Sequence, residues 1–240
     1  MKLAITTAIL SVLVATTTAE SLRHLENPDN NGKDPKDPKD KKDKLSGEKC
    51  RELHPNCGTC TPDFKSCEVC ADYSDQGGFE FFNVDGVCVL PINFDDLRGG
   101  GVPDGYRGLN YENVFLIDAT TYPIRHSGYV NGNTSPPKIA YNAAGDPASL
   151  LAPDGETFSV RSLQATPAWN NDLQVVFEGY NGGVRVASYY IVLQGPTVPE
   201  LIDLDGFENL TELYIVTSGG TDAITGGTGT QVAWDDILIY

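Results

Sequence analysis

The chain has 240 residues, 33 acidic against 17 basic side chains, a net charge of −16, and 40% apolar residues. That apolar share is enough to build a core and excludes a chain disordered throughout. The negative field repels nucleic acid and anionic membrane and attracts cations and basic surfaces, while keeping a domain soluble.

Residues 1–19 read as a secretory signal peptide. Lys2 opens it, an apolar run extends from Leu3 to Val14, and Thr17-Thr18-Ala19 offers a small-residue cleavage site. The run falls short of the roughly 18 residues that span a bilayer, and no later stretch supplies them. The expectation is a soluble, secreted, extracellular protein without membrane insertion.

Residues 20–49 form a linker expected to be disordered. They hold eight basic and eight acidic residues, and 33–40 repeat Lys-Asp-Pro without an apolar side chain. Such a segment cannot bury enough surface to offset its ordering entropy, and its prolines favour an extended spacer. The acidity lies beyond it, with 25 acidic and eight basic residues in 50–240.

Residues 50–90 form a small disulfide-rich module. Cys50, Cys57, Cys60, Cys67, Cys70 and Cys88 are the six cysteines of the chain. Two Cys-x-x-Cys pairs suit zinc in a reducing compartment. Behind a signal peptide they read as disulfides, whose connectivity the residues alone leave open.

Residues 91–240 read as one all-β domain, a jelly-roll β-sandwich. Strands are expected near 91–97, 108–117, 126–131, 137–142, 157–164, 173–180, 184–193, 200–204, 211–217 and 230–239, separated by Gly and Pro clusters. Asn181-Gly182-Gly183 between two alternating runs is a hairpin signal. No helical period of any length appears.

Four aspartates are candidate metal ligands. Asp95 and Asp96 sit on the expected first strand, Asp235 and Asp236 on the last. Jelly rolls commonly lay these strands side by side, and acid pairs brought together repel unless a cation or hydrogen bonds compensate. Calcium, which takes carboxylate and carbonyl oxygens, is the cofactor such a cluster suits. Glu178, Glu208, Glu212 and Asp172 are the carboxylates a glycosidase could recruit, but no spacing singles out a pair. Of the histidines only His126 lies in this domain, with no serine motif around it. The reading is therefore non-enzymatic, with no catalytic residue.

Aromatic rings are the other resource, because they offer flat, stiff faces with a polar tip. Tyr106, in a Gly-rich loop, is the first candidate for ligand binding, with Tyr129 and Tyr180 behind it. Trp169 and Trp234 read as core. Asn133 and Asn209 head Asn-x-Ser/Thr acceptors for glycosylation.

Three resemblances add to this. Arg23-His24-Leu25-Glu26 resembles the RxLR-type translocation motif of secreted oomycete effectors, with Glu where that motif has its last Arg. The runs 56–63 and 65–70 resemble a furin-like, growth-factor-receptor-type cysteine-rich repeat. That resemblance implies a short rod of consecutive bridges, Cys50–Cys57, Cys60–Cys67 and Cys70–Cys88. The domain itself resembles secreted jelly-roll modules of the galactose-binding-like or carbohydrate-binding-module-like type. The carrying segments are Phe94-Asp95-Asp96-Leu97, 102–111, 127–132, 168–173, 178–183 and 229–237. This resemblance implies a structural calcium near the strand termini and a polysaccharide or glycoprotein as partner. The alternative is a secreted effector or adhesion protein that binds a host protein.

Overall fold

The computed structural model describes residues 49–54, 56–72 and 80–240, all within one unit of the chain. The expected signal peptide, the linker up to residue 48 and the Arg23-His24-Leu25-Glu26 segment lie outside the described residues. Among the described residues no helix is long and apolar enough to cross a membrane.

The cysteine module opens with helical residues 49–53. Strands β1 (Cys57–Cys60) and β2 (Cys67–Cys70) follow as an antiparallel pair, with Cys57 opposite Cys70 and Cys60 opposite Cys67. A hairpin of β3 (Phe82–Val84) and β4 (Val87–Ile92) then turns at Asp85-Gly86, where both residues have positive φ, as a two-residue hairpin turn requires.

The bridges are Cys50–Cys60, Cys57–Cys67 and Cys70–Cys88. Consecutive pairing therefore fails for the first two: a diagonal Cys57–Cys67 bridge across the ribbon leaves Cys60 to Cys50 and Cys70 to Cys88. Cys57 and Cys67 are buried and meet each other. Cys60 and Cys70 are only partly covered and pair with the buried Cys50 on the helix and Cys88 on β4. Cys50, Cys57, Cys67 and Cys88 are themselves the buried core, with Phe64 and Phe81 against it. The bridges thus supply the cohesion that a module this small cannot draw from apolar burial.

Two antiparallel sheets make the sandwich. The remaining strands are β5 (Gly100–Gly101), β6 (Asn110–Glu112), β7 (Val114–Asp118), β8 (Lys138–Asn142), β9 (Ala148–Leu151), β10 (Val160–Pro167), β11 (Asn170–Asn171), β12 (Leu173–Asn181), β13 (Val184–Leu193), β14 (Glu200–Asp203), β15 (Glu212–Ser218), β16 (Thr221–Asp222) and β17 (Val232–Ile239). Among the described residues, one sheet runs β14-β10-β17-β8-β7-β5 and takes in β4 beside β17. The other runs β13-β12-β15-β9-β6. Between them one core forms, from Leu163, Trp234 and Ile237 on the first sheet and Leu173, Phe177 and Ile215 on the second.

The first and last strands do lie side by side, Ile92 opposite Ile237. The first strand, however, covers 87–92 rather than 91–97. Phe94 adopts φ 63° and its carbonyl accepts the Leu97 N–H, so the aspartates that follow sit in a turn. The expected strand 108–117 divides at Asn113 (φ 54°), where the chain leaves one sheet for the other. There the Asn113 amide donates to the carbonyls of Ala143, Asp146 and Pro147. The expected strand 126–131 is instead a single helical turn, Gly128–Asn131. Gly128 packs so tightly on Pro167 that a Cβ would lie 1.8 Å from its carbonyl oxygen, which leaves room for glycine alone. This turn caps a second, smaller core of Tyr129, Trp169, Ile139 and Ile224.

Candidate functional site

The four aspartates do not form one group. Asp235 is fully buried on β17. Its Oδ2 accepts the backbone N–H groups of Thr134 and Ser135, both at 2.9 Å, and the Thr134 hydroxyl; its Oδ1 accepts the Ser135 hydroxyl and the Asp236 N–H. Each carboxylate oxygen has two acceptor sites, so this shell leaves none open. Burial nevertheless pushes the Asp235 carboxyl up to about 6, against the pull of the Ser135 N–H, with Asp236 adding to the rise.

Asp95 accepts the Lys138 N–H through Oδ1, and Asp236 accepts the Thr134 hydroxyl through Oδ2. Burial raises the Asp95 carboxyl, and the charges of Asp236 and Asp96 raise it further. Asp96 points elsewhere: it takes the Tyr106 hydroxyl at 2.6 Å and the Arg107 guanidinium at 3.4 Å. Hydrogen bonds therefore satisfy much of the acid set expected to hold calcium; Asp95 and Asp236 are partly exposed, each with one of these bonds, and Asp96 is exposed. Among the described residues, the compact groups of ligand-type atoms are cysteine sulfurs already in disulfides.

Two of the three candidate tyrosines serve packing. Tyr129 is 3% exposed, edge-on to Tyr122, Tyr141 and Trp169, and has no free face for a ligand. Tyr106 is half-buried, stacked on Phe94 at 5.8 Å, with the Arg107 guanidinium over its ring. Burial, then the Asp96 hydrogen bond, pushes its phenol up to about 12. It anchors the Gly-rich loop to the core. Both tryptophans are buried, as read from the sequence.

Tyr180 belongs to a different setting, the outer face of the five-stranded sheet. Alternation along β12 sends Leu173, Val175 and Phe177 inward and leaves Gln174, Val176, Glu178 and Tyr180 outward. Register then defines three rows. Tyr190, Val176 and Val216 form the first; Ser188, Glu178, Tyr214, Ser149 and Glu112 the second; Arg185, Tyr180, Glu212, Leu151 and Asn110 the third. At about 4.8 Å per strand the longer rows reach roughly 19 Å across the sheet.

The polar groups of this face are locked. The Tyr180 hydroxyl donates to Glu178 Oε2 at 2.7 Å, and Arg185 donates to Glu178 Oε1 at 2.6 Å. Those two donors hold the Glu178 carboxyl below its ordinary value. Ser149 donates to Glu212 at 2.6 Å. Tyr214 stands edge-on to Tyr180 at 6.5 Å, and Tyr190 is 57% exposed. The Glu178 carboxylate is thereby held in place as a hydrogen-bond acceptor. Tyr214 was not among the sequence candidates, although the alternation Leu213-Tyr214-Ile215 already pointed it outward.

The glycosylation candidates differ. Asn133 commits its amide to the Lys138 carbonyl at 2.6 Å, whereas Asn209 is exposed beside a turn.

No protein-family model matches the chain, and no curated protein does. Solved structures similar to it include a DUF4465 family protein from Bacteroides caccae, with TM-score 0.44 and 13% identity over 68% of this chain and 93% of that one. The K2 cleaved adhesin domain of Lys-gingipain follows, with TM-score 0.40 and 8% identity over 63% and 99%. A third is TmCBM61 in complex with β-1,4-galactotriose, with TM-score 0.32 and 12% identity over 60% and 99%. Likenesses of this extent assign neither ligand nor activity to this chain.

Proposed function

We propose that the protein is a secreted, non-enzymatic saccharide-binding protein acting at a cell wall or extracellular matrix. Its ligand, a polysaccharide or the glycan of a glycoprotein, lies along the outer face of the five-stranded sheet. The observation that carries this reading is the setting of Tyr180, Tyr190 and Tyr214 among Glu178, Glu212, Gln174 and Arg185 on one open face. Sugar rings present an apolar C–H face and a hydroxyl rim. Tyrosines supply the matching surface, and fixed carboxylate, amide and guanidinium groups supply acceptors and donors. Retention of the protein on immobilised cell-wall polysaccharides tests it. Wild type is retarded, Tyr190→Ala is not, and a wild type that passes every polysaccharide unretarded overturns the reading.

A second reading has its own support. β13 is an edge strand of ten residues without a carboxylate, and Val184 and Val186 are 67% and 52% exposed. Such an edge can accept a strand from another protein, including a host protein. Pull-down that survives Tyr190→Ala but is lost on Val186→Lys favours this partner over a glycan.

A further inference from the structure

A cleft of about 410 Å³ lies where the cysteine module meets the end of the sandwich. His54 and Asn56 of the module form one wall. Phe158, Glu208 and Tyr240 of the sandwich form the other. Strand β4 joins the two, because Cys88 lines the cleft while its strand pairs with β3 on one side and β17 on the other. Neither part makes this cavity alone.

We propose that this cleft is a second binding site, one that takes a neutral sugar ring at the end of a glycan chain. Size comes first. The volume lies at the low end of the roughly 300–1,000 Å³ of small-ligand clefts, room for the end of a glycan rather than a long run of it. Chemistry comes next. Tyr240, 37% exposed, gives the apolar ring surface, while Phe158, which also lines the cleft, is 6% exposed and belongs to the core. Around them stand the Glu208 carboxylate, the Asn56 amide and the His54 imidazole, whose Nε2 lies 3.1 Å from the Phe64 carbonyl oxygen. The Tyr240 hydroxyl donates to Glu208 Oε1 at 3.3 Å, which fixes an acceptor beside an aromatic face. An anion meets the Glu208 charge and a chain whose net charge is −16. A purely apolar ligand leaves the carboxylate and amide unpaired. A polyhydroxy ring satisfies both the aromatic surface and the polar groups.

The inference rests on the saccharide reading of the protein, but on other residues than the sheet face. The test is a titration of the isotope-labelled full chain, prepared without a glycan on Asn209. The probes are methyl glycosides of glucose, galactose, mannose, xylose, arabinose and N-acetylglucosamine. Amide shifts are followed by NMR, with polysaccharide retention measured in parallel. At least one glycoside is expected to shift the amides of Phe158, Glu208 and Tyr240. Glu208→Gln should weaken that binding about tenfold, the loss of one charge-assisted hydrogen bond, while retention is unchanged. Tyr240→Ala should abolish the shifts. If Tyr240→Ala does not fold, Glu208→Gln, at an exposed position, decides alone. Retention without cleft shifts for any glycoside overturns this inference and leaves the sheet face standing. Cleft shifts without retention sustain it and overturn the sheet face. Shifts that Glu208→Gln leaves unaltered also overturn it.

Discussion

The hydroxyl of Tyr106 donates to the Asp96 carboxylate at 2.6 Å. One residue was a candidate for stacking on a ligand and the other for holding a metal; the structure joins them to each other. Tyr106 also stacks on the fully buried Phe94, so its ring pins the loop. Tyr106→Ala should cost about 2–4 kcal/mol of stability, somewhat below full removal of a buried aromatic. Asp96→Asn, which keeps an acceptor at an exposed site, should cost about 0.5–1.5 kcal/mol. Denaturant melts measure both. A Tyr106→Ala variant as stable as wild type contradicts the packing role.

Tyr190→Ala should behave in the opposite way. Its ring is largely exposed on the sheet face, so removal should change stability by less than about 1 kcal/mol while retention on polysaccharide falls. Glu178→Gln, which keeps one acceptor oxygen and loses the charge that holds Tyr180 and Arg185 together, should lower retention with only a small loss of stability. Melting and retention measured on the same samples separate the two effects.

Asp235 sets a pH dependence. Its folded-state value near 6 lies above that of an unfolded aspartate. The protonated form therefore favours folding, so its contribution is full below about 4 and is lost as pH rises through about 6. Asp118 acts in a lower window and with opposite sign. Thr120 and Lys138 hold it down at about 2, so its contribution is present above about 4 and is lost as pH falls. Together these two groups favour the fold most at about pH 4, where the two windows meet. Asp235→Asn should flatten the upper slope and lower stability overall, because an amide nitrogen would face the Thr134 or Ser135 donors. An upper slope unchanged in Asp235→Asn rules this group out.

Calcium, if it binds, should act through Asp95 and Asp236, since Asp235 has no acceptor site open. A ligand of the folded state alone stabilises by about 2.7 kcal/mol at 100 times its Kd. Calcium should then raise the melting temperature, and Asp236→Asn should remove the response. The same melting curve in calcium and in chelator would mean that Lys138, Thr134 and Ser135 suffice.

Much of the sandwich was legible because its strands alternate. β12 and β13 read directly from Gln174-Val175-Val176-Phe177 and the Asn181-Gly182-Gly183 turn, and the juxtaposition of first and last strands was expected. The helical turn at Gly128 was not, because what decides it is contact with Pro167, far along the chain. The first two bridges were misread for a similar reason: they depend on the register of β1 against β2, which sets Cys57 diagonal to Cys67. The site was legible only in part. Tyr180 was chosen, but the face that gives it meaning comes from the register of β12, β13 and β15, and register is a property of pairing rather than of any one segment.

The shared strand β4 has a mechanical consequence. Tension entering at residue 49 passes through Cys50–Cys60, Cys57–Cys67 and Cys70–Cys88, a covalent route into β4 that does not depend on the hydrogen bonds of the module. The non-covalent ties to the sandwich are then the Asp85–Arg161 ion pair at 2.7 Å and the pairing of Leu90, Pro91 and Ile92 with Ile239, Leu238 and Ile237. Force carried along β4 would load that pairing in shear, where its bonds share the load rather than unzip one at a time. A tether pulled at its N-terminal end while its sheet face grips a surface would hold until that strand pair slides.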